Sequence, residues 1–365
     1  FEKINNKKEN KMKRFSIVLL ISLLVILLCV TSFSIAAEKV YKWRAVTHQL
    51  VGTARYEKTV VPFCEMVEKA SNGRLIIEPY GAGVLFPVFD SLDAVRDGVV
   101  QMAMVWSGYW AGKDPVFALA GGRPGDPIST FSENFYRSEK LAPLLSEVYS
   151  KYGVTSLGAF DFASTEILMS RVPIRTLEDF KGKNIRTGGL GASFYPLLGA
   201  SAVSLSSPEI YTALQLGTVD AAEYNDWLVN KELGFHEVTK YVIEPCLHSG
   251  ATDDKELIVN PAAWNELPDD LKNIVLACRD MARYLSASAY DVESQKSKKS
   301  WVEDFGVEII NLPDADVKIA RDLAAQVIVD FSKKGPNAGK YVEIYAEVLN
   351  DLGYSDLAKA LGYGE

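Results

Sequence analysis

Arg186 and Glu223 are the two charges that this 365-residue chain places best for binding chemistry. Arg186 closes the strand-like run Lys183-Asn184-Ile185-Arg186-Thr187, and Glu223 stands in Thr218-Val219-Asp220-Ala221-Ala222-Glu223-Tyr224-Asn225. Both lie where an apolar strand pattern gives out, which is where open α/β sheets present side chains to a crevice. An arginine there can hold a carboxylate through two parallel N–H bonds, and a glutamate can hold a cation or a hydroxyl. The same two charges could instead pair with each other or with neighbours as structural ions, which also gather at strand ends.

Aromatic residues form the second candidate group. Trp106, Tyr109 and Trp110 follow a strand within five positions, so they could line a ligand crevice or form a satellite apolar cluster. Catalytic groups are sparse. His236-Glu237 lacks a second histidine four residues after the first, and neither a G-x-S-x-G elbow nor a P-loop occurs. Gly189-Leu190-Gly191-Ala192-Ser193-Phe194 superficially imitates a dinucleotide fingerprint but lacks its third glycine. Those glycines better suit a helix N-terminus approaching an anion or an opposite lobe.

Charge and cysteine usage narrow the classes further. The formal net charge is −8 and, past the N-terminal apolar run, basic residues cluster only at 296–299, on what reads as a solvated helix face, so nucleic-acid binding is disfavoured. Cys64, Cys246 and Cys278 are far apart, with no C-x-x-C spacing. One long-range disulfide is open to them in an oxidising compartment, but three buried free thiols are the simpler expectation.

Those compartment arguments follow from the N-terminal residues. Met12-Lys13-Arg14 precedes an almost wholly apolar run, 16–34, and Ser34-Ile35-Ala36 before Ala37 fits the small-x-small rule of signal peptidase. The expectation is a start at Met12 and a secretory signal cleaved near Ala36, giving a periplasmic protein. A retained membrane anchor is the alternative, since the run approaches the ~20 residues that span a bilayer. Cys29 follows Leu27-Leu28 rather than a small residue, which argues against lipid anchoring there.

What remains is long enough for two domains at roughly 100–200 residues each. Strands are expected at 40–46, 75–80 and 99–106 and helices at 54–70 and 86–96. This βαβαβ order predicts a largely parallel sheet in a first domain. A helix at 132–152 and a strand at 154–160 follow, with a short helix from Thr176 in the second domain. Strands at 240–246 and 255–260 are expected to return toward the first domain. Two crossings imply a hinge and a cleft that can close on a ligand. Leu267-Pro268-Asp269-Asp270 starts a helix without breakers to about residue 305, long enough to brace both lobes. The expected division is 1–36 upstream residues and signal, 37–160 plus 248–265 lobe I, and 161–247 plus parts of 307–335 lobe II. The bracing helix takes 266–306 and further helices take 336–365.

Several motifs together resemble one family. Ser71-Asn72-Gly73-Arg74-Leu75-Ile76-Ile77, Gly81-Ala82-Gly83 and Leu92-Asp93-Ala94-Val95-Arg96-Asp97-Gly98 look like the first-lobe signature of TRAP-transporter solute receptors of the DctP type. The segment from Leu177 to Thr187 is similar to the part carrying that family's carboxylate-binding arginine, and Leu216 to Asn225 matches its second-lobe signature. The resemblance covers the chain from Ala37 on. It implies a type II-like, two-lobe α/β periplasmic binding fold that captures a small organic carboxylate and delivers it to membrane permease subunits. A secreted enzyme on the same lobes, or an orphan binding protein with a sensing role, are the alternatives.

By that resemblance Arg186 holds the ligand carboxylate. Ala221-Ala222-Glu223-Tyr224-Asn225, with Gly234-Phe235 and His248 downstream, is similar to the branch that binds 2-oxo or 2-hydroxy monocarboxylates through a bound cation. The cation ligands it implies are Glu223, the backbone carbonyl of Tyr224, a side chain at Glu166 and one at Asp253 or Asp254. The family carries Gln at the place of Glu166, so Glu166 is a departure. Three carboxylates on one cation would favour calcium over sodium, because more ligand charge suits the doubly charged ion. Trp106, Tyr109, Asn225 and Trp227 complete the candidate substrate contacts. The C-terminal segment 340–361 could form a homodimer, or its apolar positions could pack on their own lobe.

Overall fold

The structure, a computed structural model, describes residues 8, 11–22, 38–162, 166–248 and 254–363. The expected cleavage point near Ala36, Cys29, most of the apolar run 16–34 and Asp253 lie outside the described residues. Contacts divide the chain into two units, Phe1–Val40 and Tyr41–Glu365. In the first, residues 11–22 are helical and exposed. Among the described residues no helix is long and apolar enough to cross a membrane.

The second unit contains eleven described strands: β1 (Tyr41–Thr47), β2 (Leu75–Tyr80), β3 (Met102–Val105), β4 (Thr155–Phe162), β5 (Leu168–Ser170), β6 (Asn184–Arg186), β7 (Ser201–Val203), β8 (Ala221–Glu223), β9 (Tyr241–Glu244), β10 (Asp254–Val259) and β11 (Glu308–Asn311). They form two sheets, ordered β2-β1-β3-β10-β4 and β11-β9-β5-β8-β6-β7. β1 runs parallel to both β2 and β3, as the βαβαβ pattern requires, while β10 is antiparallel to β3 and β4. In the second sheet β6 is parallel to β7 and β8, and β5 is antiparallel to β8 and β9. Each sheet therefore takes in one antiparallel strand, and each such strand adjoins a crossing between lobes.

Three expectations need correction. The 240–246 run is not a return to the first sheet: β9 lies inside the second, between β11 and β5, and the return is made by β10. Val242 and Ile243 are both buried, and such an apolar run carries no mark of the sheet it joins. The 54–70 helix opens with a wide π turn, Tyr56–Val60, before Val61–Ala70. Pro62 in the first α turn has no N–H to donate backwards, which favours the wider turn ahead of it. Pro87 likewise shortens the 86–96 element to a tight turn, Val88–Asp90, and the helix Ser91–Arg96.

Helix ends follow local chemistry. Phe131–Lys151 starts at a capping box in which Glu133 N–H donates to Thr130 Oγ1 (3.3 Å) and Thr130 N–H donates to Glu133 Oε2 (3.1 Å). The long helix Asp269–Glu303 braces both lobes. Its Leu271 and Val275 are fully buried in the first core with Met102, Met104 and Leu257, each stabilising by roughly 1.5–3 kcal/mol. Its Trp301 packs edge-on against Trp227 in the second core, ring centroids 5.5 Å apart. The helices Asp314–Ser332 and Pro336–Asp351 close the structure. Tyr341, Tyr345, Val348 and Leu349 are buried within the chain itself, so those apolar positions serve its own core. Cys64, Cys246 and Cys278 are free thiols, but only Cys64 and Cys278 are buried; Cys246 is partly exposed.

One fully buried charge joins the parts. Arg55, 1 % exposed, donates from Nη1 to Asp161 on β4 (3.0 Å) and from Nη2 to Asp226 just after β8 (2.7 Å). Its guanidinium lies 4.0 Å from the Tyr290 ring centroid of the long helix. The other Asp226 oxygen accepts from the N–H groups of Leu228 and Val229, capping the helix Trp227–Glu232. Arg55→Met would leave two buried carboxylates without their cation and should destabilise the protein by roughly 3–5 kcal/mol. Urea unfolding checks this. Adding Asp226→Asn should recover part of the loss, and an additive double variant would refute the coupling.

Candidate functional site

The end of β6 and the end of β8 are neighbours because the strands pair in parallel with Ile185 opposite Ala221 and Arg186 opposite Ala222. That register brings Arg186 and Glu223 to one edge of the second sheet. Their side chains do not pair with each other. Arg186 is 6 % exposed; its Nε and Nη2 donate to the Leu205 carbonyl (3.1 and 2.9 Å) and its Nη1 donates to the Glu223 backbone carbonyl. Three of the five N–H groups are thus held by described residues, leaving two. The Tyr224 ring lies 5.8 Å from the guanidinium carbon and completes the seat.

The Glu223 carboxylate faces elsewhere. Its Oε1 accepts from the Thr187 hydroxyl and from the Gly188 N–H (3.3 Å). Its Oε2 is buried and accepts no hydrogen bond among the described residues. His248 Nδ1 stands 2.7 Å from that oxygen, an ion-pair separation outside hydrogen-bond geometry, and the same Nδ1 lies 3.2 Å from Cys246 Sγ. The other face of the imidazole reaches Glu166: Nε2 to Oε2 is 3.2 Å. Lys255 Nζ lies 3.7 Å from Glu166 Oε1.

These contacts shift the titration of the cluster. Burial alone would push His248 down, but Cys246, Glu223 and Tyr195 outweigh it and hold His248 well above its ordinary range. Burial would raise Glu166, yet the His248 hydrogen bond and the Lys255 charge keep it below the usual carboxylate range. His48 behaves oppositely. Its Nδ1 donates to the Met104 carbonyl (3.3 Å) and its Nε2 accepts from Gln49 (3.0 Å), and burial, with help from Lys255, lowers it to about 3.

A single cleft gathers these groups. The first lobe contributes His48, Trp106, Tyr109, Gly121, Gly122 and, from β10, Lys255. The second contributes Arg186, Gly188, Leu190, Gly191, Glu223 and Tyr224, with Glu166 and His248 near the crossings. The cavity between these walls is tight, about 30 Å³. Trp106 donates its indole N–H to the Gly121 carbonyl and stands edge-on to Tyr109, centroids 5.2 Å apart. Gly188 is required where the lobes meet: a Cβ there would come within 2.8 Å of the Trp106 ring.

Of the sequence candidates, Trp106, Tyr109, Glu166, Arg186, Glu223 and Tyr224 line this cleft, whereas Asn225 and Trp227 do not. Asn225 orders a turn, accepting from the Asp226 N–H (2.9 Å), and Trp227 packs in the second core. Asp254 is described only through its backbone, at the start of β10; its side chain lies outside the described residues. Sequence reasoning did not assign His48, His248 or Lys255 to the site. A lysine opening the buried run Glu256-Leu257-Ile258-Val259 was the available signal for the last.

Glu223 Oε2, a buried acceptor without a hydrogen bond among the described residues, is of the type a hard cation takes as an oxygen ligand, and the Glu166 carboxylate lies across His248 from it. Among the described residues no group of three or more His, Cys, Asp or Glu side chains forms a complete cage, so backbone and ligand oxygens would have to contribute.

The depressed His48 has a pH consequence. It binds no proton in the native state until about pH 3, while the unfolded chain protonates near 6.5. Its contribution is therefore full above pH 6.5 and is lost as the pH falls toward 3. Unfolding free energy should drop over this window by an amount on the order of a few kcal/mol, and His48→Gln should flatten the drop. Equal slopes in both proteins would exclude the assignment.

Comparison with known proteins follows the same geometry. Residues 47–334 match the family described as bacterial extracellular solute-binding protein, family 7, or DctP. A monocarboxylate 2-oxoacid-binding periplasmic protein of Nostoc sp. is 31% identical over 257 residues, 68% of each chain. A TRAP periplasmic solute-binding protein from Pseudoalteromonas atlantica, solved with sodium and pyruvate, has a TM-score of 0.79 at 25% identity, covering 86% of this chain and 95% of that one. One from Bordetella bronchiseptica, a mixed-occupancy dimer with copurified calcium and picolinate, has a TM-score of 0.79 at 22% identity, covering 88% and 95%. Family members are receptors that bind substrates rather than convert them. With a match that spans both lobes and the cleft between them, the chain belongs to the DctP family of bacterial extracellular solute-binding proteins.

Proposed function

We propose that this chain captures a small monocarboxylate, a 2-oxo or 2-hydroxy acid, in its interlobe cleft and presents it to the membrane permease subunits of a TRAP transporter. One observation carries the reading: a buried guanidinium, Arg186, oriented by two backbone carbonyls and with two N–H groups left for a ligand. Two parallel N–H bonds to a carboxylate complete the coordination of an arginine so seated. The small cavity and the Trp106 and Tyr109 walls favour a short carbon chain. The Nostoc relative's 2-oxoacid specificity and the pyruvate in the Pseudoalteromonas structure support the same class.

A cation would be held by Glu223, Glu166 and the Tyr224 carbonyl, with Asp254 as the remaining candidate. It would supply positive charge to the oxo or hydroxyl oxygen beside the carboxylate. Sodium and calcium in the structural neighbours support this part of the reading. Periplasmic location, export by a signal cleaved near Ala36 and handover to a permease belong to the same proposal. Dimerisation has one neighbour in its support, the Bordetella dimer.

Arg186→Ala should abolish the thermal stabilisation that pyruvate gives the wild type, a loss of at least about 2.7 kcal/mol when ligand stands at 100 times its dissociation constant. Full retention of that stabilisation would overturn the assignment. Removing divalent ions by chelation and sodium by dialysis into choline chloride should weaken pyruvate binding, and restoring the cation should recover it; metal analysis of protein purified without chelator provides the independent check.

A further inference from the structure

We infer that two phenols, Tyr109 from the first lobe and Tyr224 from the second, donate to the same ligand carboxylate that Arg186 holds, so that one anion draws both lobes together. The inference rests on the carboxylate reading above and deepens it. Tyr224 is 8 % exposed and lines the cleft, its ring 5.8 Å from the Arg186 guanidinium carbon and edge-on to Phe235, centroids 6.2 Å apart. Those contacts use the ring alone. The hydroxyl oxygen is buried and has no hydrogen-bond partner among the described residues. A buried phenol ordinarily finds a partner, because an unmet donor costs stability. Ser207 lies within reach of it, but the Ser207 hydroxyl donates to the His48 carbonyl (3.4 Å) and stands outside hydrogen-bond geometry with the phenol.

Tyr109 presents the same chemistry from the first lobe. Its ring is set edge-on by Phe89 and Trp106, centroids 4.9 and 5.2 Å away, while its hydroxyl makes no hydrogen bond among the described residues. Burial raises this phenol and the Arg186 charge is the largest influence opposing it, which puts the guanidinium within electrostatic reach across the cleft. In so tight a cavity, a molecule seated on Arg186 touches both walls. Donors and acceptors then match. An ionised carboxylate offers about four lone-pair sites and no donor. Arg186 supplies the two N–H groups left after Leu205 and Glu223 are served, and the phenols supply two O–H groups. A carboxamide has fewer acceptor sites and brings its own N–H donors, so this set opposes it. Because the phenols sit on different lobes, both bonds form only when the cleft is closed.

The test uses the exported chain as wild type, Tyr109→Phe and Tyr224→Phe. Pyruvate affinity is measured by calorimetry, its release by stopped-flow fluorescence, and stability by urea unfolding without ligand. Each substitution should weaken pyruvate binding by about tenfold or more, since each removes a hydrogen bond to a charged acceptor. The loss should appear mainly as faster release. Without ligand, Tyr224→Phe should be as stable as wild type or more stable, because it removes a buried donor that the protein leaves unmet. Unchanged pyruvate affinity in either variant would overturn the inference. So would a ligand-free Tyr224→Phe chain less stable than wild type, because the phenol would then serve the fold through Ser207. Absence of any pyruvate effect on wild type would count against the carboxylate reading instead, and ligand-free unfolding would still decide whether the Tyr224 hydroxyl is held in reserve.

Discussion

A guanidinium kept away from water must have its N–H groups satisfied by protein or ligand, because an unpaired buried charge costs several kcal/mol. Arg186 meets that demand through the carbonyls of Leu205 and Glu223. Neither carbonyl is near in sequence. Glu223 arrives because β6 and β8 pair in one register, and Leu205 arrives because the chain continues just past β7, the strand on the other side of β6. Shifting either strand by one residue would turn Arg186 to the opposite face of the sheet. The register of three short strands is therefore a condition for the site.

The lobes then decide how dry that site is. Trp106 from the first lobe lies over Gly188 of the second, and the absence of a side chain at Gly188 lets the two backbones close. Arg55 works from behind, tying β4 of the first sheet to the turn after β8, three residues beyond Glu223. The helix Asp269–Glu303 carries Tyr290 against this junction and Trp301 into the second core. Excluding water raises the strength of every charge contact in the cleft, so the same packing that closes the lobes also strengthens their grip on an anion.

The acidic part of the site is a network rather than a pair of independent ligands. Glu166, His248, Glu223 and Lys255 share contacts, and each perturbs the titration of its neighbours. Truncating one of them would change the others as well, so single substitutions there are not additive measures of contact energy. Cys246, partly exposed and against His248, extends that network toward the surface.

Much of this was legible in the residues. The βαβαβ order of the first lobe, the unbroken long helix and the motifs around Arg186 and Glu223 are local patterns, and local periodicity or spacing specifies them. The aromatic loop at Trp106 and Tyr109 was equally visible, though whether it lined a cleft was not. Trp227 could not be separated from them, because an aromatic residue reads alike whether it faces a ligand or, as here, a second tryptophan in a core. The sheet to which β9 belongs, the partners of Arg186, and the meeting of Lys255 with Glu166 depended on the tertiary structure. Those contacts join residues tens of positions apart, and strand register and lobe packing, not sequence spacing, bring them together. The sequence by itself determined which charges and aromatic residues the chain could offer; only the tertiary structure decided which of them share one water-poor space, because proximity there is set by strand pairing and the closure of two lobes.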